Sequence, residues 1–235
     1  MSGLVDSATA VMRMAQMRLD VTAHNVANIA TPGYKRRIGF DETIAARTAP
    51  VGEPVALSIH VDRAQAPLSQ TGNPFDLAIS GDGYFRVRDG DRTLYTRQGQ
   101  FRRDGEGLLV TPQGYVLQQV GGGDVTIDGA TATIMADGTI VDAGRPVGRV
   151  AVDRGGDPAR MTAVGESFFA STDADMAEAT DAVVRQGMLE ASNVSLGDEM
   201  THTMVAVRQA ESGAKLIQLY DELMGRAASV FGGGR

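Results

Sequence analysis

The feature that most limits the fold of this chain is a pair of long amphipathic stretches, one at each end, Leu4 to Ile29 and Leu196 to Phe231. In the first stretch, apolar or small residues recur at alternating steps of four and three. That spacing is typical of a helix that packs on another helix. The residues with this spacing are Leu4, Ala8, Val11, Ala15, Leu19, Thr22, Val26 and Ile29.

The second stretch has two neighbouring apolar stripes on one predicted helix. One stripe consists of Met200, Met204, Val207, Ala214, Ile217 and Met224. The other consists of Val205, Leu216, Tyr220, Leu223, Ala227 and Val230. At 1.5 Å per residue the two helices would be roughly 40 and 50 Å long, which is difficult to bury inside one small domain. The stripes therefore predict a two-helix hairpin within the chain, contacts with other subunits, or both.

The segment between the helices predicts β-structure. It contains five Asp-Gly dipeptides among short runs typical of strands, and Asp-Gly favours the tight turns of β-hairpins. The dipeptides begin at Asp82, Asp89, Asp104, Asp128 and Asp137. Eight of the twelve aromatic residues lie between residues 71 and 175, where we expect them to fill a core.

These patterns together predict an α+β fold. Long, paired, coiled-coil-like N- and C-terminal helices would enclose a central antiparallel β domain. We expect residues 1–40 and 183–235 to form a discontinuous helical assembly domain. Residues 41–70 would form an extended connector, and residues 71–175 the β domain.

The charge distribution argues against a nucleic-acid partner. The chain has a net charge of -7. Residues 1–40 have five basic and two acidic side chains, and residues 185–235 have five and six, which leaves -9 on the segment between them. Binding to phosphates requires a basic face, and this body is acidic. The sequence has no apolar run of about 20 residues, so we also expect no membrane span, and it has no pattern of a secretory signal.

No pattern in the sequence predicts a catalytic, cofactor or metal site. Cysteine is absent, and His24, His60 and His202 are scattered without the spacing of metal ligands. The glycine-rich segments lack the residues of a phosphate loop, and no motif of a serine nucleophile is present. We therefore expect a structural protein that has neither a cofactor nor a metal.

Three separated motifs resemble a known family. The first, residues 24–35, reads HNVANIATPGYK; the second has two segments, TGNPFDLAI at residues 71–79 and YTRQGQF at residues 95–101; and the third, residues 187–194, reads GMLEASNV. They are similar, in this order, to the N-terminal, β-domain and C-terminal signatures of the bacterial flagellar rod and hook proteins. The C-terminal likeness continues through Arg208 and Glu211.

The resemblance implies a structural subunit of the flagellar basal-body rod, the periplasmic drive shaft that transmits torque from motor to hook. It also implies helical polymerisation and export without a cleaved signal peptide. The larger proximal rod protein is the favoured member, with the distal rod protein as the alternative. Expected partners are copies of the same chain, other rod proteins, hook-side and export-gate-side neighbours, and the surrounding ring proteins.

A second class of function also stays open, namely a secreted domain that acts on peptidoglycan or binds glycans. It would need a cleft with paired carboxylates of shifted pKa.

The stripes and the resemblance together predict a set of subunit-interface residues. They are Leu4, Ala8, Val11, Ala15, Leu19, Asn25, Asn28, Thr31, Gly33, Asn193, Met200, Met204, Val207, Arg208, Glu211, Ile217 and Met224.

Overall fold

The structure, a computed structural model, describes residues 3–41, 57–129, 132–155, 160–171 and 176–232. Within these ranges it has two helices, α1 (Gly3–Ala27) and α2 (Leu196–Gly232), and eighteen strands. The chain divides into two compact units. Unit 1 consists of Met1–Ala27, Arg36–Asp62 and Val194–Arg235, and unit 2 of Asn28–Lys35 and Arg63–Asn193. The two predicted terminal helices are confirmed, and α1 ends two residues before the predicted Ile29.

Unit 1 combines the two helices with a two-stranded antiparallel sheet. Strand β1 (Arg37–Asp41) pairs with β2 (Leu57–Val61) so that Arg37 lies opposite Val61. The predicted connector, residues 41–70, includes β2, whereas residues 42–56 of it lie outside the described residues. Backbone bonding continues past the sheet, because Asp62 N donates to Arg36 O at 2.8 Å.

The two helices contact each other mainly through small residues. Ala8, Ala15 and Ala206 are fully buried. Gly213 lies so close to α1 that an added Cβ would be 2.6 Å from Met12 Cγ and 3.2 Å from Ala8 O. The helices run in opposite directions, since Ala8 lies beside Gly213 whereas Arg18, later in α1, donates from Nη1 to Oε1 of the earlier Gln209 at 2.7 Å. These small side chains allow the two backbones to approach closely.

The predicted coiled-coil-like pair is wrong. The large apolar side chains that would form such a seam lie outside the helix contact, with Met200, Met204 and Val207 exposed by 53, 58 and 42%. Periodicity correctly places Ala8 and Ala15 on the stripe of α1, but it does not show that α2 meets α1 through Ala206 and Gly213, which lie outside its predicted stripes. The structure supports an α+β chain with one helix at each end of a β-rich segment.

Unit 2 is built from short strands. In chain order they are β3 (Leu68–Gln70), β4 (Leu77–Ser80), β5 (Tyr84–Asp89), β6 (Arg92–Thr96), β7 (Arg102–Arg103), β8 (Leu109–Val110), β9 (Val116–Leu117), β10 (Thr133–Ile134), β11 (Thr139–Asp142), β12 (Arg145–Arg149), β13 (Val152–Gly155), β14 (Thr162–Val164), β15 (Phe168–Ala170), β16 (Met176–Glu178), β17 (Val183–Gln186) and β18 (Met188–Glu190).

All strand pairs of the described residues are antiparallel. The largest sheet has the order β14-β15-β6-β5-β9-β8-β7, and β13 joins it through β5 and carries β16. Strands β10, β11 and β12 form a separate meander. Strand β17 pairs with β4 and β18 with β3, so residues 183–190, which we expected in the helical assembly domain, lie in unit 2.

Aromatic side chains pack in the core of unit 2, as predicted. Phe85 and Phe101 meet edge to face with ring centroids 5.6 Å apart, and both are almost completely buried. Tyr84 and Phe169 make a similar contact at 5.5 Å. Such edge-to-face contacts stabilise the core beyond the effect of apolar burial alone.

Three of the five Asp-Gly dipeptides connect paired strands. They begin at Asp89, Asp104 and Asp137, between β5 and β6, β7 and β8, and β10 and β11. The dipeptide at Asp128 has another role, because Asp142 Oδ2 accepts hydrogen bonds from the backbone N of Asp128 and Gly129 at 3.0 and 2.8 Å.

The close helix contact predicts opposite effects of one substitution at two glycines of α2. Gly213→Leu places a side chain against Met12 and the Ala8 carbonyl, and overpacking of this kind costs about 1–3 kcal/mol. Gly225→Leu meets nothing within 4 Å and gains up to about 1 kcal/mol of helix propensity. Urea unfolding followed by the helical circular-dichroism signal measures both. Equal stability of the two variants would contradict the small-residue contact.

Candidate functional site

The turn after α1 is fixed by Gly33. Its φ is +68°, and a Cβ at this position would lie 2.3 Å from the backbone carbon of Arg97, so only glycine fits. The Gly33 N donates to Glu190 O at 2.8 Å. The N-terminal motif of the sequence therefore packs directly against the central and C-terminal motifs inside unit 2.

A buried ion network links the same three motifs. The Glu190 side chain is inaccessible to solvent, and Lys35 and Arg97 are 1% and 5% exposed. Glu190 Oε1 accepts hydrogen bonds from Lys35 Nζ at 2.6 Å and from Ala66 N at 2.9 Å, and Oε2 accepts one from Arg97 Nη1 at 3.1 Å. The carboxylate thus has a hydrogen-bonded partner at each oxygen, as a buried charge requires.

The two bases of this network also bond to the backbone. Lys35 Nζ donates to Ala64 O at 2.8 Å, and Arg97 Nη2 donates to Gly81 O at 2.7 Å. The Arg97 guanidinium lies over the Tyr84 ring, 5.4 Å from its centroid. Burial raises the pKa of Tyr84, partly opposed by the positive charges of Arg63 and Arg97. Since Lys35 and Glu190 lie next to the borders of unit 2, the network holds its two exit points together.

Asn25 and Asn28 have separate partners within the chain. Asn25 Nδ2 donates to Arg37 O, and Asn25 Oδ1 accepts from Arg37 N, both at 2.9 Å. Asn28 Nδ2 donates to Glu166 Oε2 at 2.7 Å, and Asn28 Oδ1 accepts from Thr31 Oγ1 at 3.0 Å. Both asparagines are buried, and each fixes the chain segment that follows α1.

Unit 1 has a cleft of about 290 Å³ with several charged side chains in its lining. At its wall, Arg36 Nε donates to Glu199 Oε1 at 2.8 Å, and Arg36 Nη2 lies 3.0 Å from His202 Nε2. Arg18 and Arg37 also line the cleft. Across the described residues, no three His, Asp or Glu side chains come close enough to hold a metal ion.

The predicted interface residues fall into three groups. Those buried within their own unit are Ala8, Ala15, Asn25, Asn28 and Gly33. Those partly buried are Leu19, Thr31, Asn193 and Ile217. Those exposed are Val11, Met200, Met204, Val207, Arg208, Glu211 and Met224, and the side chain of Leu4 lies outside what the structure describes. Their role in subunit contacts remains a prediction.

The exposed group gives α2 an apolar surface. Besides Met200 and Met204, the helix exposes Leu216, Leu219 and Leu223 by 40, 54 and 64%. Scattered apolar residues are ordinary on protein surfaces, whereas several large ones on one helix indicate an interaction site.

Sequence reasoning missed the network of Lys35, Arg97 and Glu190. A signal for it was present, because each of the three separated motifs contains one of these residues. Leu219 was also missed, since it belongs to neither predicted stripe.

Comparison with known proteins identifies the family. Residues 8–35 match the family described as flagella basal body rod protein, residues 78–142 the flagellar hook protein FlgE/F/G D1 domain, and residues 185–230 the flagellar basal body rod FlgEFG protein C-terminal region. The chain is 34% identical to the flagellar basal-body rod protein FlgF of Caulobacter vibrioides, covering 91% of each chain. It is also 34% identical to FlgG of Bacillus subtilis, covering 91% of this chain and 93% of the relative.

The fold is that of an α+β chain with one helix at each end of a β-rich segment, and the second helix exposes several large apolar side chains. The chain belongs to the family of bacterial flagellar basal-body rod and hook proteins. It is a structural subunit of the basal-body rod. None of the described helices combines the length and apolar character that a membrane span requires.

The buried network predicts a large stability effect at Glu190. Glu190→Ala leaves Lys35 and Arg97 buried without their counter-charge, which costs about 3–5 kcal/mol. Glu178→Ala removes the exposed partner of Arg149 and costs at most about 1 kcal/mol. Urea unfolding of the two purified variants compares the costs. A Glu190 variant no less stable than the Glu178 variant would show that the network contributes little to folding.

Proposed function

We propose that this rod subunit polymerises helically through the exposed apolar side chains of α2. The observation that supports this proposal is the division of apolar residues on α2. Small residues such as Ala206 and Gly213 face α1, whereas Met200, Met204 and Leu223 stay exposed by 53, 58 and 64%. Burial of one such side chain stabilises a contact by about 1.5–3 kcal/mol. A repeated contact of this kind gives a rod able to transmit torque from motor to hook through the periplasm.

We further propose that the chain is the FlgF type of rod subunit and belongs to the proximal rod. The alignment with Caulobacter FlgF covers 91% of this chain in 224 positions. The alignment with Bacillus FlgG needs 246 positions for the same share of this chain. The alignment with FlgG thus contains more gaps, although the sequence identity is the same in both alignments. Other rod proteins, copies of the chain and the surrounding ring proteins are the partners in this proposal.

We also propose that the chain acts without catalysis. Among the described residues, lowered carboxylate pKa values occur at the protein surface. A hydrogen bond from Arg88 lowers the pKa of Asp124, and one from Arg154 lowers that of Asp181. Exposed ion pairs of this kind are ordinary surface features, whereas a glycan-cleaving site would place paired carboxylates in a cleft.

The polymerisation proposal predicts that Met204→Asp blocks rod assembly. A carboxylate brought into an apolar contact loses its hydration without gaining a partner, which costs several kcal/mol. Cells with this variant are expected to be non-motile, and isolated basal bodies should lack the subunit by immunoblot. Met204→Leu should swim normally, because it preserves the apolar character.

Met135→Asp is the matched control. Met135 lies between β10 and β11 in unit 2 and is 51% exposed, close to the 58% of Met204. The same substitution should leave motility near normal there. Swimming by Met204→Asp cells, or equal loss in both variants, would contradict a specific role of the α2 surface.

A further inference from the structure

We propose that the last part of α2 docks into the groove between α1 and α2 of a second copy of this chain. This inference depends on the proposed polymerisation and names the two surfaces that meet. We call residues 219–232 the α2 extension, and the surface formed by Met12, Arg13, Leu19, Ala210 and Ile217 the interhelix groove.

The α2 extension continues past the end of α1. Gly213 packs against Ala8 and the helices are antiparallel, so Gly3, the first described residue of α1, is level with about residue 218. About 14 residues of α2, or roughly 20 Å, then have no described part of α1 beside them. Leu219, Leu223 and Met224 on this extension are exposed by 54, 64 and 43%.

The interhelix groove lies within unit 1 and has a volume of about 490 Å³. Met12, Leu19, Ala210 and Ile217 make it largely apolar, and Met12 is 37% exposed. Its size and apolar lining suit the side chains of one helix face, such as Tyr220 and Met224, because an amphipathic helix binds an apolar groove through residues three and four positions apart.

The choice of a second copy of this chain as the occupant of the groove is based on charge complementarity. Arg13 lines the groove, and within the described part of the chain it has no ion-pair or hydrogen-bond partner. Asp221 on the α2 extension likewise has none among the described residues, whereas its neighbour Glu222 pairs with Arg226 at 2.5 Å. Asp221 and Met224 are three residues apart and therefore lie on the same side of the helix. Docking would bring Asp221 to Arg13 while Met224 enters the groove.

The two surfaces of one copy cannot satisfy each other. Arg13 is level with about residue 208, so Asp221 of the same chain lies roughly 20 Å further along the helix pair. The contact is therefore between copies, and it joins two different surfaces. A contact of this type leaves a free groove at one end and a free α2 extension at the other, so it continues as an open polymer.

Cysteine cross-linking tests the contact directly, because the natural chain has no cysteine. Gln16 lines the groove and Met224 lies on the α2 extension, so we combine Gln16→Cys with Met224→Cys in one chain. Oxidation of isolated basal bodies should give a ladder of covalent oligomers on a non-reducing gel, and a reductant should return them to monomer. Neither single-cysteine variant should give the ladder. A cross-linked product with another rod protein would overturn the choice of a second copy as partner.

Charge reversal in the same cysteine background provides the second arm. Arg13→Asp and Asp221→Arg should each lower the cross-linked fraction several-fold, and the chain with both substitutions should recover it. If the subunit is present in basal bodies and yields neither the ladder nor this rescue, the docking inference is wrong, while its function as a rod subunit stands. The Met204→Asp variant tests separately whether rod assembly needs the exposed apolar side chains of α2.

Discussion

The fold of unit 2 depends on one buried carboxylate. Glu190 has no solvent access, and it is bonded to Lys35, Arg97 and the backbone of Ala66. A buried charge is destabilising unless its partners are in place, so burial of the Glu190 carboxylate requires residues near 35, 97 and 190 to meet. When these residues meet, the turn after α1 lies next to β18, and Gly33 lies against the Arg97 backbone. The network also holds together the two points at which the chain leaves unit 2.

Unit 1 follows a different principle, because its helices use small residues for each other. Ala8, Ala15 and Ala206 are fully buried, whereas Leu219 and Leu223 remain more than half exposed. Close backbone packing of small residues buries little apolar area per residue. The helix pair therefore gains less stability from its internal contact than its apolar content would allow, and its large apolar side chains stay exposed.

The two helices and the aromatic core were predictable because they depend on local period and composition. The helices extend over Gly3–Ala27 and Leu196–Gly232, and Phe85 and Phe101 are buried as expected. The face by which α2 meets α1 was not predictable. A period of 3.6 residues identifies an apolar stripe, but Met204 on that stripe is exposed and Gly213 outside it makes the contact. The Glu190 network was missed for a related reason, since it joins residues far apart in sequence.

Asn25 and Asn28 show how one motif serves both units. They are three residues apart at the end of α1, yet Asn25 binds the backbone of Arg37 in unit 1 and Asn28 binds Glu166 in unit 2. Burial of both amides without these partners would cost about 1–3 kcal/mol for each unsatisfied group. The side-chain amides of both asparagines therefore make hydrogen bonds within the chain. The largest set of exposed apolar side chains among the described residues lies on a different element, α2, which these amides do not touch in these hydrogen bonds.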